Sequence, residues 1–379
     1  MTKRENTLAI FTLVEHKTKN DLFYGYGPYV REMNLWVSNF DKVIVVAPFS
    51  KFNNVNPIDL AYIHSNISLV RMPSFNVKSI LSIVQLVFSL PLILIKMVSV
   101  MRKSHHLHFR CPSNIAAIAA MLQVFFPNKT KTVKYAGNWD PKSKQPLGYR
   151  FQKWLLSNTF LTKTIKILVY GEWNNQSKYV VPFYTATFSE SEVTPFIKRD
   201  YSSKLKFVFL GALVEGKRPL LAIKIIEALI KKGLSSEFHM FGDGRLLNEL
   251  RNYVKEKGLE NFIILYGNKN MEIVKKHLQD AHFTILPSKS EGWPKALAEG
   301  MFFGTIPIST DVSCVSFMLD DGNRGIMIEP NLDKAADVIY NVAQKEDSYL
   351  ISMARKAQEW SHQFTLERLE QDIKEIIKE

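Results

Sequence analysis

A short apolar run followed by a glycine-containing loop and a helix decides the fold of this chain. The run reads His282-Phe283-Thr284-Ile285-Leu286-Pro287-Ser288, and the next stretch reads Ser290-Glu291-Gly292-Trp293-Pro294-Lys295-Ala296-Leu297-Ala298-Glu299-Gly300. The apolar run predicts a buried strand that ends at Pro287. Pro294 suits the first helical position because its φ is already fixed near the helical value. We therefore predict a strand–loop–helix corner with Glu291 in the loop and Glu299 in the helix.

The start of this predicted helix favours an anion. The backbone N–H groups of Trp293, Lys295 and Ala296 have no acceptor inside a helix that begins at Pro294. Such groups, together with the helix dipole, favour phosphate. At 1.5 Å per residue the axial rise from Pro294 to Glu299 is about 7–8 Å. The two carboxylates can therefore address opposite sides of a bound diphosphate.

Composition predicts two globular domains. The 379 residues exceed the usual size of a single core. The two cysteines, Cys111 and Cys314, have no partner spacing and indicate free thiols in a reducing compartment. The first apolar run, Leu8 to Val14, lacks a cleavage pattern and predicts a strand rather than a secretory signal. We therefore expect a cytoplasmic protein.

Positive charge is concentrated in the first half. Residues 1–200 hold 25 Lys+Arg against 11 Asp+Glu, and the rest of the chain holds 24 against 25. This asymmetry indicates an anionic surface or ligand for the first half, although general solubility also explains it. The apolar stretch Ser79–Met101 predicts a largely buried helix with a narrow polar stripe, and the alternative is a helix that rests on an acidic membrane surface. The lysines are scattered, which disfavours a nucleic-acid binder.

The first domain is predicted over residues 1–190 as a parallel, doubly wound α/β unit. It begins with strand Thr7–Val14, helix Pro28–Phe40 and strand Lys42–Ala47. The loop Gly25-x-Gly27 between the first strand and the helix lacks the third glycine of a dinucleotide fingerprint, so a nicotinamide enzyme is disfavoured. Gly25 and Gly27 indicate either a close approach to a phosphate or sugar, or a plain turn.

A loop at the end of a later strand carries candidate acceptor groups. Asn138 and Asp140 follow strand Thr132–Ala136 and could hold an acceptor hydroxyl or close a turn. The nearby run His105-His106-Leu107-His108 leads into a strand and has no Cys or carboxylate at ligand spacing, so we predict no metal site there.

A second α/β unit is predicted over residues 205–350, after an interdomain linker at Thr185–Lys204. Its first strand, Lys206–Leu210, leads into the loop Gly211–Pro219. That loop almost matches a P-loop, but Arg218 stands where a Ser or Thr would hold Mg²⁺, which disfavours an NTPase. Lys217 and Arg218 remain as a cationic pair suited to a diphosphate. Two later strand-end loops begin at Gly242 and Gly267, which are weaker candidates for contact with the donor. Residues 355–379 are predicted to form a C-terminal helix that returns to the first domain.

On these motifs the chain resembles family 4 retaining glycosyltransferases. The loop with Lys217, the pair Gly242-x-Gly244, the seven residues between Glu291 and Glu299, and the run Phe303-Gly304-Thr305-Ile306-Pro307-Ile308 all fit that family. The resemblance implies the GT-B fold, in which two Rossmann-like parallel-sheet domains face each other across a cleft.

The resemblance also implies roles for the donor site. Glu299 would bind the ribose, Lys217 the diphosphate and Glu291 the transferred sugar, and the amides near Trp293–Ala296 would hold the leaving phosphate. No metal cofactor is implied, and the chain contains no Asp-x-Asp triplet. Two positions depart from the family: Ala212 replaces an arginine, and no histidine stands near Asn138 and Asp140. Either one of these two residues takes its place, or the acceptor is arranged differently.

Together these features predict a retaining, metal-independent glycosyltransferase. Its donor would be a nucleotide-diphosphate sugar, and its acceptor a saccharide or a lipid-linked saccharide in cell-surface polysaccharide or glycan synthesis. The basic first half predicts a peripheral position on the inner face of the cell membrane. The alternative is a non-catalytic nucleotide-binding or membrane-docking protein. Release of nucleoside diphosphate from a panel of nucleotide sugars distinguishes the two.

Overall fold

The computed structural model describes residues 5–50, 54–56, 58–73 and 80–378, and it divides into two compact units. The first comprises Met1–Phe183 with Glu370–Glu379, and the second comprises Tyr184–Leu369. The division falls within the last helix, so the end of the chain belongs to the first unit. There the ammonium of Lys166 donates to the carbonyl oxygen of Ile376 at 3.0 Å.

The first unit is built on a seven-stranded parallel sheet with the order β10-β9-β8-β7-β1-β4-β6. Its strands are β1 Thr7–Phe11, β2 Lys17–Lys19, β3 Leu22–Tyr26, β4 Lys42–Pro48, β5 Asp59–Ala61, β6 Ile67–Met72, β7 His106–Cys111, β8 Thr130–Tyr135, β9 Ile165–Tyr170 and β10 Val180–Phe183. Its helices are α1 Gly27–Val37, α2 Ile80–Lys103, α3 Asn114–Leu122 and α4 Leu147–Ser157.

Helices cover both faces of this sheet. Alternate residues of a strand point to opposite faces. On one face, Leu107 and Phe109 belong to a core that also contains buried residues of α2, α3 and α4. On the other face, the imidazole of His108 lies 4.3 Å from the ring of Trp36 in α1, measured between ring centroids. The unit is therefore doubly wound, with α2, α3 and α4 in one layer.

A small antiparallel sheet replaces the predicted glycine loop. Strands β2, β3 and β5 pair in that order, and Gly25 pairs with Leu60 inside it. Gly27 opens α1, and a Cβ there would lie 2.2 Å from the carbonyl oxygen of Ile58. The prediction of a loop at Gly25 and Gly27 is therefore wrong. Close contact with the protein's own backbone accounts for Gly27.

The second unit contains a six-stranded parallel sheet with the order β13-β12-β11-β14-β15-β16. Its strands are β11 Leu205–Leu210, β12 Ser236–Phe241, β13 Ile263–Gly267, β14 Phe283–Leu286, β15 Ile306–Thr310 and β16 Ile326–Ile328. Its helices are α5 Pro219–Lys231, α6 Leu247–Glu256, α7 Met271–Asp280, α8 Lys295–Phe302, α9 Val315–Leu319, α10 Leu332–Ala343 and α11 Asp347–Ser361, and α12 Leu366–Lys378 continues into the first unit. The prediction of two parallel-sheet α/β domains is confirmed.

The segment interpreted as an interdomain linker, Thr185–Lys204, packs onto the second unit. The guanidinium of Arg199 donates to the carbonyl oxygens of Gly304 and Phe303. The ring of Phe188 lies 4.8 Å from that of Phe302 in α8. The Ser, Thr and Glu content of the segment indicated a linker, whereas Thr187 donates to Glu299 of α8 and Ser189 forms a capping box with Glu192.

Helix α2 differs from the predicted buried helix. Ile93 and Met97 are buried, but Phe88, Leu92 and Ile95 face solvent. Ser79, where the predicted helix begins, lies outside the described residues. Among the residues that the structure describes, no helix is both long and apolar enough to cross a membrane.

Candidate functional site

The predicted donor residues lie at the switch point of the second sheet. Strand β11 has β12 on one side and β14 on the other, so the chain winds in opposite directions from this position. The loop with Lys217 follows β11, and the loop with Glu291 follows β14. In open parallel sheets, ligands bind outside the carboxyl ends of the strands at this point. The topology therefore brings the two predicted loops together.

Lys217 and Glu291 form a close ion pair. The ammonium of Lys217 lies 2.6 Å from Oε1 and 2.7 Å from Oε2 of Glu291. The Glu291 side chain is 5% exposed and that of Lys217 is 29% exposed. The carboxylate is thus held inside the unit, while the cation reaches solvent. The sequence placed both residues at a donor site but did not predict that they would contact each other.

Arg218 holds the second loop in place. It has a left-handed backbone (φ 51°), caps α5, and its guanidinium donates to the carbonyl oxygens of Pro287 (3.3 Å) and Ser288 (3.1 Å). Burial lowers the pKa of this guanidinium from its usual value. The backbone N–H of Lys289 also donates to the carbonyl oxygen of Gly216 at 2.8 Å. Arg218 therefore joins the Lys217 loop to the Glu291 loop. The sequence analysis predicted that it contacts the diphosphate and did not predict this structural role.

Further contacts fix the Glu291 loop from its other side. The hydroxyl of Thr310 donates to the carbonyl oxygen of Ser288 at 2.5 Å, and that of Ser313 donates to the carbonyl oxygen of Gly292 at 3.0 Å. The indole of Trp293 stacks on that of Trp360 at 5.9 Å. Trp293 is buried among aromatic rings, which anchors the loop before α8 begins.

Helix α8 begins at Lys295, with Pro294 as its N-cap. The predicted start at Pro294 is therefore one residue early. The N–H of Lys295 donates to the carbonyl oxygen of Trp293 at 2.8 Å, so the prediction that this amide is free is wrong. The amides of Leu297 and Ala298 donate to Pro294. Among the described residues, the N–H of Ala296 in this turn has no protein acceptor. The predicted anion site at the start of α8 is therefore reduced to this amide.

Glu299 lies in the middle of α8 and faces the segment predicted to be a linker. Its Oε1 accepts a hydrogen bond from the hydroxyl of Thr187 at 2.8 Å. Glu299, Lys295 and Thr187 line one small cleft of the second unit. The helix approaches β14 closely because Gly300 has no side chain, and a Cβ there would lie 2.1 Å from the hydroxyl of Thr284.

Gly242 and Gly267 both have positive φ angles, but only Gly242 lies against another part of the backbone. Gly242 follows β12 with φ +135°, and a Cβ there would lie 1.9 Å from the carbonyl oxygen of Gly211. Gly267 ends β13 with φ +69° and has open space around it. Gly242 thus allows the backbone after β12 to approach the start of the Lys217 loop. A ligand contact at either glycine stays a prediction.

In the first unit, Asn138 and Asp140 close a turn. Oδ1 of Asn138 accepts from the backbone N–H of Asp140, and Oδ1 of Asp140 accepts from that of Lys142, both at 2.8 Å. The ammonium of Lys153 donates to the carbonyl oxygens of Trp139 and Asp140, and burial lowers its pKa. The turn alternative therefore accounts for both side chains, and a role toward an acceptor stays a prediction.

The histidine run contributes to the core. His106 and His108 each contact the hydroxyl of Thr132 at 2.8 Å, and burial lowers the pKa of both. Across the described ranges, no group of three or more His, Cys, Asp or Glu side chains could hold a metal ion.

Several residues at this site escaped the sequence reasoning. Thr187 supports Glu299, and Thr310 and Ser313 support the Glu291 loop. Thr310 ends a strand next to β14, so sheet order would have indicated it. Thr187 carries no such signal, because it is distant in sequence from every motif.

Two units built on parallel sheets are the architecture of the GT-B fold, which this chain shares with solved glycosyltransferase structures. Residues 191–376 match the family described as glycosyl transferases group 1. This part of the chain, just under half of its length, is therefore similar to the glycosyl-transferring enzymes of that family.

Individual relatives agree with this assignment. An uncharacterized glycosyltransferase of Methanocaldococcus jannaschii is 26% identical over 177 residues, 45% of this chain and 47% of that protein. The UDP-Gal:alpha-D-GlcNAc-diphosphoundecaprenol alpha-1,3-galactosyltransferase of Escherichia coli is 29% identical over 128 residues, 33% of each chain. The chain thus spans less than half the length of these relatives. The Anabaena protein HepE in complex with UDP-glucose shares the fold, with a TM-score of 0.67, 12% identity and coverage of 98% of this chain and 99% of that one.

Proposed function

We propose that this protein transfers a sugar from a nucleotide-diphosphate donor to a saccharide or lipid-linked acceptor in cell-surface polysaccharide or glycan synthesis. The observation that carries the proposal is the pairing of Lys217 and Glu291 at the switch point of a family-matched unit. The names of the Escherichia coli relative and of the HepE complex support a UDP-sugar donor and a lipid-diphosphate-linked acceptor.

Lys217 would neutralise the diphosphate. Its ammonium is the partly exposed member of the pair and can turn toward an arriving anion while Glu291 holds its position. The amide of Ala296 and the positive end of α8 would add to the field on the leaving phosphate. These groups supply positive charge without a metal ion, and we propose a metal-independent reaction.

Glu291 and Glu299 would bind different parts of the donor. Glu291 would face the transferred sugar and stabilise the positive charge that develops at the anomeric carbon. Glu299, oriented by Thr187, would accept hydrogen bonds from the ribose hydroxyls. In this arrangement the Lys217 loop and α8 approach the diphosphate from two neighbouring strands.

The reaction we propose retains the configuration of the sugar. The bond between the anomeric carbon and the diphosphate oxygen breaks, and the acceptor oxygen bonds to the same carbon on the same face. The acceptor proton passes to the leaving phosphate oxygen, so no protein nucleophile is required. Lys217 would stabilise the negative charge on the departing diphosphate.

Turnover of a panel of nucleotide sugars tests the proposal. Each donor is incubated in EDTA with saccharide and lipid-diphosphate-linked acceptors, and release of nucleoside diphosphate is measured. We expect turnover of one donor, its loss in Glu299→Ala, and an unchanged anomeric configuration in the product by NMR. The matched control is Glu256→Ala, at an exposed carboxylate that ends α6. Full activity of Glu299→Ala would contradict the proposed site.

A further inference from the structure

The outer surface of one helical layer in the first unit is unusual for a water-exposed surface. The buried sides of α2, α3 and α4 share one core, with Met97, Ala116 and Leu155 among its members. Helices that cover one face of a sheet lie side by side in a layer. Their outward sides therefore form one surface, here called the outer helical face, defined by the exposed residues of α2, α3, α4 and the segment that follows each.

Two helices of this face expose apolar side chains in stripes. On α2 the stripe is Phe88, Leu92 and Ile95, and on α4 it is Leu147, Phe151 and Trp154. Both follow the i, i+4, i+7 spacing that places residues on one side of a helix. Phe88 is 81% exposed and Trp154 is 57% exposed. Contiguous apolar surface of this kind marks an interaction site.

The segment after α3 extends the same face. The side-chain amide of Gln123 donates to the carbonyl oxygen of Leu161 at 2.8 Å, which ties this segment to the residues after α4. Phe125 and Phe160, on either side of this link, are 77% and 87% exposed. The apolar surface thus continues from the end of α3 to the segment after α4.

The charge of this region has one sign. Residues 80–168 hold 13 Lys+Arg and a single acid, Asp140. Exposed cations accompany the apolar stripes: Arg102 and Lys103 end α2, and Arg150 lies in α4. Aromatic side chains next to cations suit the boundary of a bilayer, where the rings enter the headgroup region and the cations meet acidic lipid.

We propose that the outer helical face of the first unit docks on the surface of a bilayer that contains anionic lipid. The helices lie on the bilayer rather than cross it, because their other sides form the core of the unit. Docking would hold the enzyme where a lipid-linked acceptor resides. The proposal does not depend on the transfer reaction, because binding is measured without donor or acceptor.

Sedimentation with vesicles tests this proposal. The full chain is mixed with phosphatidylglycerol-containing vesicles and, separately, with phosphatidylcholine vesicles, at low and high salt. We expect binding to the anionic vesicles alone, weakened by salt. The charge variant Arg102→Gln/Lys103→Gln/Arg150→Gln should bind about a hundredfold more weakly, since each cation contributes about 1 kcal/mol and 1.4 kcal/mol is tenfold. The aromatic variant Phe151→Ser/Trp154→Ser should lose at least about tenfold.

Matched variants on the second unit serve as controls. Lys255→Gln/Lys276→Gln/Lys356→Gln removes three exposed lysines, and Ile197→Ser/Tyr349→Ser removes two exposed apolar side chains. Both should bind vesicles as the wild type does, and circular dichroism verifies the fold of every variant. The proposal is overturned if the wild type does not bind anionic vesicles at low salt, or if the charge and aromatic variants bind like their controls. Self-association that Phe151→Ser/Trp154→Ser abolishes, without vesicle binding, would assign the face to a second copy instead.

Discussion

The ion pair between Lys217 and Glu291 makes a prediction about stability that can be separated from activity. Replacing Lys217 by Met leaves the Glu291 carboxylate inside the unit without its cation. Breaking a fully buried pair in this way costs about 3–5 kcal/mol, whereas exposed pairs contribute about 0–1 kcal/mol. Because the Lys217 side chain is 29% exposed, we expect a loss of about 2 kcal/mol. For a unit of this size the corresponding decrease in Tm is about 4–8 °C.

A double-mutant cycle measures this coupling. Lys217→Met, Glu291→Gln and the double variant are compared with wild type by urea unfolding and calorimetry, with Lys255→Met at an exposed lysine of α6 as control. The double variant should recover to within about 1 kcal/mol of wild type, because it leaves no unpaired charge. Its transferase activity should stay lost, because the diphosphate has no cation. A Lys217→Met variant as stable as wild type would refute the buried pair, and so would a double variant no more stable than Lys217→Met.

Three further predictions concern the pH dependence, a glycine and the support of Glu299. Burial lowers the pKa of His16 to about 4 and of His106 to about 3, and it lowers that of His108 as well. Because the unfolded chain therefore binds more protons than the folded chain below about pH 6.5, the folded state loses stability as the pH falls. Urea unfolding of the first unit should show that its free energy of unfolding decreases by about 1.4 kcal/mol per histidine, about 4 kcal/mol in all, from pH 8 to 5.5. A flat profile across that range would show that these histidines are not buried and neutral. Gly242→Ala should destabilise the second unit by more than about 2 kcal/mol in calorimetry, because the new Cβ meets the backbone of Gly211. Gly267→Ala should cost only about 1 kcal/mol, because it adds backbone strain without a steric clash. Equal effects of the two substitutions would refute the close approach at Gly242. Thr187→Val should weaken nucleoside-diphosphate binding about tenfold by titration, since a hydrogen bond to a charged group contributes about 1.5 kcal/mol. Thr187→Ser keeps the hydroxyl and should bind the nucleotide as wild type does. Wild-type affinity in Thr187→Val would show that Thr187 does not support the site.

Local patterns were sufficient for the parallel sheets and for the donor loops. The predicted strands Lys42–Ala47 and Lys206–Leu210 each differ from the observed β4 and β11 by one residue at one end. The loops with Lys217 and Glu291 were identified by residue type and position relative to these strands. Their contact depends on sheet order, which places β14 next to β11 although more than 70 residues separate them.

The wrong predictions also have a physical cause, because each concerns contacts that the local sequence does not reveal. Gly25 and Gly27 suggested a ligand loop, but Gly25 pairs with the short strand Asp59–Ala61, and the N–H of Gly27 donates to the carbonyl oxygen of Ile58. The Ser- and Thr-rich segment before β11 suggested a linker, because composition does not reveal that Arg199 finds carbonyl acceptors on the second unit. Helix α2 is apolar on most sides, so its sequence could not distinguish a buried stripe from the exposed one at Phe88, Leu92 and Ile95.

The central claim is that a donor diphosphate binds at the switch point of the second sheet, beside Lys217. Isothermal titration of UDP and GDP into wild type, Lys217→Met and Lys255→Met, all in EDTA, tests it most directly. We predict that wild type and Lys255→Met bind one nucleotide with equal affinity, and that Lys217→Met binds it about a hundredfold more weakly. Unchanged affinity in Lys217→Met would contradict the claim.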